Sequence, residues 1–264
     1  MANEIHPTAI IAKEATIGSN VKVGPYVVIE GPVVISDNVE IGPFVHIKGN
    51  TFIGENTKIF TGAALGNPPQ DMKFKGEDTN LIIGKDNTIR EYVMINPGTS
   101  ATGKTVIGDG NLFMAYVHVA HDCIVGNNCI IANVGTLAGH VEIGDKVVIG
   151  GLTGVHQFTR IGSFAIIGGC SKVVQDVPPF AMADGHPAKI YGINTIGIKR
   201  AGIAQSDRSV IKKAFDTLFF SGHSLSKAQE SLTKEISDNK YVQQIIDFIS
   251  SSGRGICRSA KESD

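Results

Sequence analysis

Large apolar residues recur at every sixth position through most of this chain. Stepping by six from Ile5 to Val173 meets isoleucine, valine, leucine or phenylalanine at every position except Asp71, Glu77 and Ala101. The residue after each anchor is often glycine, as at Gly24, Gly54, Gly126 and Gly162. The residue four after it is small or β-branched, as at Val45, Cys123 and Ala165. A period of six matches neither an amphipathic helix nor the two-residue alternation of a simple strand. It predicts an all-β parallel β-helix, with short strands, anchors pointing into a narrow core and tight, glycine-aided turns. Three hexads make one triangular coil, so residues eighteen apart stack at the strand spacing of about 4.8 Å.

The broken anchors mark two excursions. Residues 66–82 lose Asp71 and Glu77 and carry Pro68-Pro69; residues 96–104 lose Ala101 and are rich in Gly, Thr and Ser. Loops that leave a rigid scaffold are common places for function, and equally tolerate plain insertion. The solenoid is expected over 1–179, because Pro178-Pro179 disfavours further sheet pairing. Residues 180–264 are expected to form an irregular connector over 180–195 and then a helical domain. Its first helix starts at a Ser206-Asp207 cap and carries the stripe Val210, Ile211, Ala214, Phe215, Leu218 and Phe219. Helices over 226–236 and 241–249 follow.

Composition narrows the picture. The 264 residues include 31 glycines and no tryptophan, which suits a thin core. A net charge of −1 provides no global field for nucleic acid or an anionic membrane. The start has no signal-peptide pattern, and no apolar run approaches the ~20 residues of a spanning helix. Of the four cysteines, Cys123 and Cys129 share the small inward slot and none shows C-x-x-C spacing. A reduced, cytoplasmic protein is the expectation.

Candidate chemistry lies in the histidines. Of the eight, His118, His121, His140 and His156 crowd into residues 115–158. None occupies an anchor slot, so all are expected to point outward. Steps of eighteen predict a ladder of His121, Gly139-His140 and His156-Gln157 along one edge, with His118 near the preceding corner. A neutral imidazole near pH 7 is a competent general base. Three histidines on such a solenoid also allow a zinc site like that of gamma-class carbonic anhydrases, and a purely structural solenoid is a third reading.

Particular motifs go further than the repeat. His118-Val-Ala-His121-Asp122-Cys123, Leu137-Ala-Gly139-His140-Val, Val155-His156-Gln157-Phe158, Gly168-Gly169-Cys170-Ser171 and Gln175-Asp176-Val-Pro-Pro179 stand together with Pro69-Gln70-Asp71, Ile89-Arg90-Glu91, Gly192-Ile-Asn194 and Gly197-Ile-Lys199-Arg200. This combination resembles the UDP-N-acetylglucosamine O-acyltransferases that begin lipid A synthesis, over nearly the whole chain. The resemblance implies a left-handed β-helix, against the usual right-handed crossover. It implies a homotrimer with active sites between subunits and C-terminal helices at its base. It also implies transfer of a 3-hydroxyacyl chain from acyl carrier protein to the sugar 3-hydroxyl, with no metal or cofactor beyond the carrier's prosthetic arm.

Site roles follow from the same resemblance. His121 matches the general base, Asp122 a partner that orients it, and the Gly139 N–H the oxyanion donor. Asp71, His140 and Gln157 match sugar contacts, with His156 beside them. Lys73, His118 and Arg200 match diphosphate or nucleotide contacts, and Asn194 a further nucleotide contact. Gly169 matches the stop at the end of the acyl groove, and glycine there implies a long chain, nearer fourteen carbons than ten. Lys199, Arg200, Arg208, Lys212 and Lys213 form a basic cluster suited to docking an acidic carrier protein. The chain departs from the family at Asn96, where histidine is usual, at Ile196 in place of glutamate, and at Ala201 in place of arginine. A 3-amino sugar acceptor stays open. The related N-acyltransferase of the same pathway carries an extra N-terminal domain, for which hexads beginning at Ile5 leave no room.

Overall fold

The computed structural model describes residues 2–235 and 239–260. Among the described residues, strands mostly of two to four residues wind into a triangular prism whose faces are sheets of eleven, nine and eight strands, parallel except for the last strand of the eleven. Register follows the hexads: Leu112 pairs with Ile130, Ile124 with Glu142 and His118 with Thr136, each eighteen apart. The anchors fill the axis, and Ile29, Ile53, Ile83 and Leu137 are fully buried. The first anchor is different. Ile5 stays 45% exposed, with no coil beneath it among the described residues.

The excursions do not disturb the phase. Partners are thirty apart across the first, as Phe52 and Ile82, and twenty-four apart across the second, as Ile82 and Val106. The loops therefore add twelve and six residues to an eighteen-residue coil, which are whole hexads. That is why the same six-step register resumes beyond each loop.

The corners work differently from a glycine-aided turn. The left-handed residue stands three after the anchor and is usually not glycine, as at Asn20, Tyr26, Asp122, His140 and Phe158. The glycines after the anchors serve close stacking instead. A Cβ on Gly126 would lie 2.8 Å from the backbone carbon of Gly144 one coil on. Cys123 and Cys129 occupy the small inward slot and are buried.

The stretch read as an irregular connector is ordered. Ala181–Gly185 extends the eleven-stranded sheet, pairing in parallel with Ile166–Ile167, and Ala188–Ile193 returns antiparallel to it. Four helices follow among the described residues: α1 (Thr195–Arg200), α2 (Gln205–Phe220), α3 (Leu225–Glu235) and α4 (Lys240–Ser250). The first escaped the sequence reading. Asn194 caps it by accepting from the Gly197 N–H at 2.9 Å. The Ser206-Asp207 cap is not used: α2 begins one residue earlier, behind Ala204, and Asp207 instead accepts from Asn239 Nδ2. Ile211, Ala214, Phe215, Leu218 and Phe219 are buried as the stripe required, while Val210 is only partly covered. Of the predicted helix over 226–236, Ile236 lies outside the described residues. The final described segment returns to the solenoid, where Ile256 bridges Asp176 and Ser259 bridges Ile190.

Candidate active site

One edge of the prism gathers the catalytic candidates. His121, Gly139 and Gln157 follow one another along it, and Asp122, His140 and Phe158 form the adjoining row at the left-handed corner. The His140 N–H donates to His121 O and the Phe158 N–H to Gly139 O, which fixes this register. Steps of eighteen thus set Gly139 and Gln157 in the row of His121, and His140 in the row of Asp122. The His140 ring stacks on Phe158 at 4.5 Å and meets the His121 ring edge-on at 5.3 Å. His156 is exposed, with Nδ1 3.1 Å from the Gln157 carbonyl.

His121 and Asp122 converge although they are sequence neighbours. Adjacent side chains on a flat strand diverge, but φ of 60° at Asp122 turns its side chain back beside the imidazole. Nδ1 of His121 lies 2.7 Å from Asp122 Oδ2, and the carboxylate is fully buried. Burial alone would raise the Asp122 pKa. Hydrogen bonds from Thr102, the Thr99 N–H, His121 and the Thr99 hydroxyl outweigh it and hold the acid well below the usual range, at about 2. A charged Asp122 accepts the proton on Nδ1, so Nε2 keeps its lone pair.

Gly139 lies against that imidazole. A Cβ there would sit 2.6 Å from His121 Cε1 and 2.8 Å from Nε2, so no side chain fits. Its N–H has no partner among the described residues. A nitrogen lone pair and a free amide hydrogen thus stand next to each other at the edge of the site.

The excursions flank this edge. Asn96 Nδ2 donates to Asn67 O and Pro68 O at the root of the first loop, while its buried Oδ1 has no partner among the described residues. Gln70 Nε2 reaches Met94 Sδ at 3.0 Å, and Met94 pairs with His118. Asp71 closes a local turn by accepting from the Lys73 N–H. His118 is half-buried, and burial followed by repulsion from His121 lowers its pKa, so it is neutral at pH 7. Its buried Nδ1 is also unpaired among the described residues.

Comparison with known proteins identifies the scaffold and its chemistry. The profile described as "Udp N-acetylglucosamine O-acyltransferase; Domain 2" matches residues 176–257, and the bacterial transferase hexapeptide profile matches 104–135. The acyl-(acyl-carrier-protein)–UDP-N-acetylglucosamine O-acyltransferase of Aliarcobacter butzleri is 53% identical, over 96% of this chain and 98% of its own length. The chain belongs to the UDP-N-acetylglucosamine O-acyltransferase family. The Thiobacillus denitrificans enzyme of the same name is 52% identical, covering 96% of this chain and 99% of its own. A crystal structure of a UDP-N-acetylglucosamine acyltransferase superposes with a TM-score of 0.94 at 45% identity, covering 98% of this chain and 100% of the other. The Campylobacter jejuni enzyme gives 0.92 at 39% identity, with 97% and 99% covered. The protein is an acyltransferase on a left-handed β-helix with a small helical C-terminal region, and its place is the first step of lipid A biosynthesis.

The carbonic anhydrase alternative finds no support among these relatives. One atom each of His121, Asp122 and His140 lie within 4.8 Å of one another. The Asp122 oxygens, however, are already taken up by hydrogen-bond donors.

Other expected residues stand apart from His121. Gly169 lies on a different edge, behind the row Tyr116, Val134, Leu152 and Cys170, and a Cβ there would meet only Gly151 backbone, at 3.3 Å. A tail leaving His121 toward the C-terminal end of the same chain does not run along that edge. Asn194 is occupied in both directions, capping α1 and donating to Phe164 O at 2.8 Å. Lys199, Arg208 and Lys212 line a cleft of about 640 Å³ with Tyr191, Phe215 and Phe220, whereas Arg200 is exposed and outside its lining. Lys212 pairs with Asp216 at 2.7 Å, and Lys213 is exposed on the same helix. Thr99 and Thr102, which bind Asp122, were not singled out from the sequence; the missing anchor at Ala101 and the Gly-, Thr- and Ser-rich composition marked only their loop. No helix among the described residues is long and apolar enough to cross a membrane.

Proposed function

We propose that the protein transfers a 3-hydroxyacyl group from acyl carrier protein to the 3-hydroxyl of UDP-N-acetylglucosamine, with His121 as general base. The observation that carries this reading is the free Nε2 of an imidazole whose Nδ1 faces the charged, buried Asp122. Nε2 takes the proton of the sugar hydroxyl while its oxygen attacks the thioester carbonyl. The Gly139 N–H donates to the oxyanion that forms. Collapse expels the carrier thiolate, which recovers the proton from His121. No metal or bound cofactor enters these steps.

Asp71, His140, His156 and Gln157 are assigned to the sugar, and Lys73, His118 and Arg200 to the diphosphate and nucleotide. A neutral His118 offers the phosphates a hydrogen bond rather than a charge. Asn194 reaches the nucleotide only through α1, which it caps. Lys199, Arg208, Lys212 and Lys213, with Arg200 beside them, are assigned to the acidic carrier protein.

A homotrimer completes this site. Tyr116, Val134 and Leu152 are 58%, 43% and 62% exposed and form an apolar edge with no cover in one chain. Setting that edge against the His121 edge of a neighbour closes the cleft and brings Gly169 to it. The open notch at Gly169 then favours a long acyl chain. Division at residue 179 into solenoid and C-terminal domain, and a cytoplasmic setting consistent with four free cysteines, belong to the same proposal.

The test is turnover of ten- and fourteen-carbon 3-hydroxyacyl carrier thioesters on UDP-N-acetylglucosamine, its 3-amino analogue and 3-O-acylated UDP-glucosamine. His121→Ala should lower kcat by about 10²- to 10⁴-fold with assembly intact. Near-normal turnover by that variant, or wild-type activity only on the amino acceptors, overturns the reading.

A further inference from the structure

We propose that Thr99 and Thr102, on the second excursion, are positioning residues for the acid–base pair. They hold the Asp122 carboxylate so that it receives the Nδ1 proton of His121 and leaves Nε2 free. The proposal rests on the reading of His121 as the base.

Asp122 presents two oxygens with room for about four hydrogen bonds. Its Oδ1 accepts from the Thr99 N–H at 2.9 Å and from the Thr102 hydroxyl. Its Oδ2 accepts from the Thr99 hydroxyl at 2.7 Å and from His121 Nδ1 at 2.7 Å. Three of the four donors belong to the excursion, and one to the imidazole. With its capacity filled, the carboxylate has a single orientation, and that orientation faces His121.

The excursion is built to deliver those donors. It is one hexad longer than a plain coil requires, and the extra residues cross over the corner. Its own turn is closed without Asp122, by the Gly103 N–H donating to Thr99 O at 2.7 Å. Its root is tied to the first excursion by Thr79 Oγ1 on Gly98 O and by Asn96 Nδ2 on Asn67 O. Thr102 is an exposed residue, yet its hydroxyl reaches the buried carboxylate. That hydroxyl also lies 3.0 Å from Lys104 O, but its single proton favours the charged acceptor. The equivalent corner residues on the next coils, His140 and Phe158, carry no such cover.

The titratable groups facing Asp122 are His121 and, with Nε2 at 3.6 Å, His140. Lys104 ends the excursion with an exposed side chain. Removing the hydroxyls leaves the carboxylate less compensated. The Asp122–His121 pair then holds an extra proton more tightly, and the acid limb of kcat/KM moves to higher pH.

The experiment uses the full chain with Thr99→Val, Thr102→Val and the double variant, each beside its serine counterpart. Each valine should lower kcat about tenfold, and the double more, with KM for the UDP-sugar within about twofold. The acid limb should rise by about half a pH unit or more. Serine should restore both, because it returns the hydroxyl. Thr102→Val keeps the test open if Thr99→Val folds poorly, since Thr102 is exposed. Wild-type kcat with an unmoved acid limb, or serine variants as impaired as valine, overturns the proposal. His121→Ala is run in parallel: an active His121→Ala protein defeats the base assignment, whereas an inactive one with unaffected threonine variants defeats this inference alone.

Discussion

Asp122 and Asp176 are both buried carboxylates on the same solenoid, each within reach of a cationic or potentially cationic side chain. Asp122 faces His121 and His140 at an open edge. Asp176 accepts from the Arg160 N–H and from Ser252 Oγ, with Arg160 Nε 3.7 Å away. Arg160 in turn donates to Ser251 O, Ser251 Oγ and Phe248 O and lies 4.3 Å over the Phe248 ring. The difference is in what the partner can release. An imidazole held at one nitrogen keeps the other free for a reversible proton, while a guanidinium stays charged and spends its donors on fixing α4 to the solenoid. The same acid thus organises chemistry in one place and architecture in the other.

The sharpest way to break this contrast is Asp122→Asn. An amide in place of the carboxylate no longer enforces the proton on Nδ1, so kcat should fall by about 10²- to 10⁴-fold, as expected for a base in the wrong tautomer. Asp176→Asn should leave kcat within about twofold and lower unfolding stability by about 2–4 kcal/mol, because Arg160 loses its charge partner. Steady-state kinetics and denaturant unfolding on both proteins decide it. Equal loss of activity in the two variants, or an Asp176→Asn protein of unchanged stability, would erase the distinction.

A smaller effect separates them in acid. The folded-state pKa of Asp122 is depressed to about 2, below the ~4 of an unfolded aspartate. Its contribution, about 2 kcal/mol, is therefore present above pH 4 and is lost as pH falls through about 2. Asp122→Asn should consequently flatten the loss of stability between pH 5 and pH 2.5, measured by urea midpoints. An unchanged slope would mean that the carboxylate is no more acidic folded than unfolded.

Much of this was legible in the sequence. Asp71, Glu77 and Ala101 counted two lost hexads and then one, and the excursions insert twelve residues and six. The helical stripe around Phe215 was equally plain. The hairpin formed by Ala181–Gly185 and Ala188–Ile193 was not, because Ala181–Gly185 carries little strand signal and pairs with Ile166–Ile167, fifteen residues upstream of Ala181. In the site, His121 and Gly139 were found by spacing and motif. His140 lies eighteen residues beyond Asp122, in the same row, and its own left-handed φ turns it around the corner from Gly139.

By itself, the sequence determined the prism, its phase and the edge on which His121 stands. Each anchor needs only the coils directly above and below it, so a local six-residue rule propagates along the whole axis. Only the tertiary structure decided which groups meet at that edge. The turn at Asp122 directs its side chain onto its own neighbour, and the path of the second excursion brings Thr99 and Thr102 over it. Likewise Arg160 finds Ser251 only after α4 has docked. These meetings depend on corner angles and loop paths, which packing among distant segments sets and no repeat of apolar positions encodes.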